Sequence, residues 1–71
     1  MIIKVWIYLI TGSNGKISIA TQADEDGDLS FAVHDEGTGD RYKVEMKHYL
    51  VPAWCAERNV PCRVVVKEFE I

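Results

Sequence analysis

Taken at every second position, residues 1–10, MIIKVWIYLI, put Ile3, Val5, Ile7 and Leu9 on one face of a strand and Ile2, Lys4, Trp6, Tyr8 and Ile10 on the other. Both faces are largely apolar, the pattern of a strand covered on both sides. From Lys16 to Gln22, Ile17, Ile19 and Thr21 alternate with Ser18, Ala20 and Gln22, which predicts a second strand with one apolar face. Asn14-Gly15 between the two runs predicts a hairpin, because both residues tolerate positive φ. Ala23 to Asp28 reads as an acidic turn around Asp26-Gly27. Leu29, Phe31 and Val33, alternating with Ser30, Ala32 and His34, then predict a third strand. The loop from Asp35 to Asp40, with Gly37 and Gly39, turns the chain again.

Residues 41–50 fit two periods. Tyr42, Val44, Met46, His48 and Leu50 alternate as in a strand, whereas Tyr42, Met46, Tyr49, Leu50, Ala53 and Trp54 follow the stripe of a helix. Pro52 inside a helix would remove a hydrogen bond and kink it. The expectation is a fourth strand near Arg41 to Met46, then a helix from about Lys47 to Asn59, irregular at Pro52. Val60-Pro61 stops that helix, and the β-branched run from Cys62 to Lys67 predicts a last strand continuing towards Ile71. The fold expected is α+β: an antiparallel sheet of four to five strands, one helix on one face, order β-β-β-(β)-α-β, in a single domain over 1–71. The first and last strands are expected as neighbours in its centre.

A chain of 71 residues buries only about 60% of its unfolded surface, which leaves little for a deep active-site cavity. Its 48% apolar and 27% charged residues, with few Gly and Pro, are those of an ordered domain. The apolar start has no basic leader region and no small-residue cleavage site. It is also too short to span a bilayer as a helix, which takes about 20 residues. A soluble, cytoplasmic protein is expected, with Cys55 and Cys62 reduced, two cysteines being too few for a disulfide framework.

Charge is uneven. Residues 17–40 carry seven acids, Asp24, Glu25, Asp26, Asp28, Asp35, Glu36 and Asp40, and no Lys or Arg. The rest carries eight bases and four acids, for a net charge of −3 overall. That balance disfavours direct nucleic-acid binding, which depends on Lys and Arg neutralising phosphates. An acidic lobe over 24–40 suits a basic protein partner.

Candidate chemistry is sparse. Gly12 to Lys16 lacks the Gly, the Ser or Thr and the following helix of a phosphate loop. Asp24, Asp26 and Asp28 stand at positions 1, 3 and 5 of a calcium loop with Asp35 at 12, but Leu29 occupies the position that demands Gly. A hairpin turn explains the same acids, and calcium binding is kept as an alternative to be tested. His34, His48, Cys55 and Cys62 lack the paired spacing of a zinc site. If His48 is helical it lies two turns before Cys55 on the same face, which makes a thiol and imidazole dyad conceivable. No cofactor, metal ligand or catalytic residue is assigned.

The aromatic residues carry the remaining signal. One short helix covers one side of a sheet. The face of Trp6 and Tyr8 is expected to be the uncovered one, open to a partner or to a second copy, the alternative being a sheet that curls into a small half-barrel and buries these residues itself. The expected function is therefore a small non-enzymatic interaction protein, a regulator or inhibitor of a larger assembly such as phages and mobile elements encode. It would use Trp6, Tyr8 and the acids of 24–40. A small-molecule or calcium-binding module is the alternative, and a cysteine- and histidine-dependent enzyme the third.

Overall fold

The computed structural model describes residues 1–12, 15–34 and 37–71. Strand β1 (Ile2–Thr11) pairs antiparallel with β2 (Ile17–Gln22) on one edge and with β5 (Cys62–Glu70) on the other. Strands β3 (Asp28–His34) and β4 (Arg41–Lys47) form a separate antiparallel hairpin. A single turn of 3-10 helix (His48–Leu50) runs into α1 (Val51–Glu57). The α+β class is as expected, but the strands divide into a sheet of three, in the order β2-β1-β5, and a sheet of two. β1 is central as its two apolar faces require, and β5 is its neighbour but lies at the edge.

The Asn14-Gly15 turn falls partly outside the described residues; Gly15, at φ 81, takes the left-handed conformation that favours glycine. The ambiguous 41–50 segment is strand up to Lys47, one residue past the expected end. The helix is shorter than expected because Pro52 opens it instead of kinking it: in the first turn a missing N–H costs nothing. Its end is fixed by Asn59 at φ 56 and by the Val60 amide donating to the Cys55 carbonyl at 2.9 Å.

Register decides the faces, since residues directly opposite share one. Trp6, Tyr8 and Ile10 lie opposite Gln22, Ala20 and Ser18 on β2 and Val66, Val64 and Cys62 on β5. That face meets α1 and the apolar side of the β3-β4 hairpin, where Leu29, Phe31 and Val33 pair with Met46, Val44 and Tyr42. The core is small: Tyr8, Ile10, Leu29, Val51 and Cys55, with Trp6, Phe31, Met46, Trp54 and Val60 packed around them. Phe31 meets Trp54 edge-on at 5.3 Å, and the Arg58 guanidinium lies 4.2 Å from the Trp54 ring.

Candidate functional site

Trp6 and Tyr8 were expected on the uncovered face; the structure puts them on the covered one. Tyr8 is 1% exposed, and Trp6 is half-buried with its ring 4.8 Å from that of His48. The physical reason lies in the Tyr8 hydroxyl. His48, 2% exposed, sits on the 3-10 turn, and its Nδ1 lies 2.6 Å from Tyr8 Oη. Its Nε2 lies 2.8 Å from the Glu25 carbonyl oxygen. A carbonyl only accepts, so the proton of neutral His48 sits on Nε2, and Tyr8 donates to Nδ1. Each buried polar atom is thereby satisfied, which an apolar neighbour could not have done.

The same contact docks the acidic turn. Lys47 Nζ donates to the Asp26 carbonyl at 2.7 Å and the His48 amide to the Gly27 carbonyl at 3.1 Å. Three successive carbonyls, those of residues 25–27, are thus held by Lys47 and His48. The side chains of Asp24, Glu25, Asp26 and Asp28 are left exposed. Asp24 Oδ1 accepts from the Asp26 amide at 3.0 Å, and Asp28 pairs with Lys47 at 3.4 Å. Asp40 is also exposed, at the far end of the hairpin; Asp35 and Glu36 lie outside the described residues. The described acids therefore do not form one lobe: β3, seven residues or roughly 20 Å long, separates the 24–28 turn from Asp40. Among the described residues, no three His, Cys, Asp or Glu side chains converge on one point as metal ligands.

His48 and Cys55 do not form a dyad, because both imidazole nitrogens already have partners. Burial, with the Cys62 thiol beside it, pushes the Cys55 thiol up to about 11. Burial and Cys62 likewise raise the Tyr8 hydroxyl above its ordinary value. The thiol is a packing group, and at neutral pH folded Cys55 is expected to resist iodoacetamide; fast alkylation would mean that it is neither buried nor protonated. Both groups hold their protons more tightly folded than unfolded. Their contribution to stability should therefore be constant below about pH 8 and be lost as pH rises through about 9 towards about 11. Urea midpoints at about pH 8 and about pH 10.5 check this, and Cys55→Val should reduce the drop.

The uncovered surface is the opposite face of β1. Ile3, Val5, Ile7 and Leu9 run along its centre, with Ile17 and Ile19 on β2 and Val65 and Phe69 on β5. The four central residues are half-buried, while Ile17, Ile19 and Phe69 are 61%, 68% and 53% exposed. Among the described residues neither helix nor hairpin lies over them: the buried cluster is built on the other face. The ionisable residues on this face, Arg63 and Lys67, both belong to β5. The sequence carried a signal for this surface in the alternation Ile17-x-Ile19 and Val65-x-x-x-Phe69, in phase with Ile3 to Leu9.

No helix of the described residues is long and apolar enough to cross a membrane. Compared with protein-family models, with curated proteins and with solved structures, the chain finds no match.

Proposed function

We propose that this chain is a small, non-enzymatic protein-interaction module, a regulator or inhibitor that acts by association, and that the open face of the β2-β1-β5 sheet pairs with the same face of a second copy. The observation that carries this reading is the run of eight apolar side chains on one sheet face with no layer of the described residues over it. Uncovered apolar patches beyond a few hundred Å² are unusual on monomers and mark interaction surfaces.

Size and charge favour a second copy as the occupant. Three strands about 4.8 Å apart and a ten-residue central strand give a face of about 450 Å² in plan. Two such faces, with side-chain relief added, approach the total of about 1,200 Å² at the lower end of stable interfaces. A two-fold axis parallel to the strands lays β5 of one copy over β2 of the other. Arg63, level with Leu9 and Ile19, then faces the uncharged Ile17, Ile19 and Thr21 edge instead of its own counterpart. Lys67 stands opposite Val5, one step beyond the Trp6–Gln22 pair, where β2 gives way to the acidic turn. The basic edge of one copy therefore approaches the acidic end of the other.

Amide spectra recorded on serial dilution test this. Resonances of β1, Ile17, Ile19, Val65 and Phe69 should move together as the dimer dissociates, while those of α1 stay in place. Spectra unchanged over a hundredfold dilution from a monomeric sample would defeat the proposal.

A further inference from the structure

A second surface is built differently. Among the described residues β2 is paired only with β1 and β3 only with β4, so each has one edge without a strand. The two strands leave the 23–27 turn and then part around a cleft of about 470 Å³. Its walls are consecutive residues, 18–20 of β2 and 30–34 of β3, with Ile10 and Val60 also lining it. A sheet face contributes every second residue, so consecutive lining residues mean that strand edges form these walls.

One end of the cleft is pinned. Gln22 Nε2 donates to the Asp28 carbonyl at 2.6 Å, and its Oε1 accepts from the Ala23 and Asp24 amides at 3.0 and 3.1 Å. Gly27 lies against this amide so closely that a Cβ there would displace it. Lys16 and His34 stand at the other end, and no acid is among the described residues that line the cleft.

We propose that this cleft binds an extended polypeptide segment of another protein as an added strand between β2 and β3. Each free edge offers a row of alternating backbone N–H and C=O groups, and an extended backbone is the ligand that matches two such rows at once. The five residues of β3 along the wall span about 16 Å, which sets the segment at about five residues. Phe31, Val33 and Ile10 select apolar side chains at alternate positions.

The probe is the blocked peptide Ac-Val-Thr-Val-Glu-Val-NH2, titrated into isotope-labelled protein, against the same peptide N-methylated at alternate amides. The cleft shares Ile19 with the open sheet face, so the titration is run on wild type and on the monomer-directed Ile7→Glu variant alike. Saturable shifts and slowed amide exchange confined to 18–20 and 30–34, with affinity at least about tenfold weaker after N-methylation, are the expected result. No shifts at millimolar peptide, equal binding of both peptides, or shifts centred elsewhere would overturn the proposal. Binding by Ile7→Glu separates this site from self-association: a chain that never dimerises can still bind the peptide.

Discussion

Ile7→Glu is expected to weaken self-association by about 100-fold or more while leaving the fold in place. Ile7 sits at the middle of the central strand, between Thr21 and Val65, on the face turned away from α1 and the hairpin. In the monomer the new carboxylate stays in water. In the dimer it is desolvated near the two-fold axis, with the partner's copy of the same charge close by, and an unpaired buried charge is among the most costly changes a contact can suffer. The local price in strand propensity is about 1 kcal/mol or less. Ile7→Thr keeps the β-branched shape and should weaken association far less. Sedimentation equilibrium on the three proteins measures the effect, with circular dichroism to show that each is folded. Equal dissociation constants for wild type and Ile7→Glu would remove the face from the interface.

Tyr8→Ala should come close to unfolding the chain. Truncating a fully buried aromatic costs roughly 3 to 5 kcal/mol. Here it also strands His48 Nδ1 without its donor in the core, at about 1 to 3 kcal/mol more. At 0.05 to 0.15 kcal/mol per residue the whole stability of 71 residues is roughly 4 to 11 kcal/mol. Tyr8→Phe separates the two contributions: it keeps the ring and loses only the hydroxyl, so a loss of about 1 to 3 kcal/mol is expected. Urea unfolding of both variants gives the values. A Tyr8→Phe variant as stable as wild type would mean that the Tyr8–His48 bond does not hold the core together.

The strands were legible because alternation is local. Leu29, Phe31 and Val33 against Ser30, Ala32 and His34 need nothing beyond their own order to be read, and β2, β3 and β4 appear within a residue or so of where the periods put them. The helix was legible as an element but not in its start, because Pro52 breaks a helix interior yet suits its first turn, and only the preceding 3-10 turn decides which applies. Which face of β1 is covered was not readable from its pattern, since both of its residue sets are apolar. The decision is made forty residues away by His48, whose ring requires a donor that Tyr8 can supply and Ile7 or Leu9 cannot. Asking where the Tyr8 hydroxyl and the His48 ring would find partners inside an apolar core was the available signal. The split into two sheets rests on the turn after Gln22, where one side chain satisfies two amides and a carbonyl and sets β3 apart from β2. The acids of 24–40 read as one charged run, yet the length of β3 divides the described ones between the two ends of the hairpin.

Light scattering on the wild-type chain eluting from a sizing column at about 100 μM bears most directly on the open sheet face. One chain weighs 8.1 kDa. Pairing through Ile3, Val5, Ile7 and Leu9 predicts a mass of about 16 kDa, falling towards the single-chain value on dilution and on introduction of Ile7→Glu. A mass of 8.1 kDa for the wild type at that concentration would contradict it.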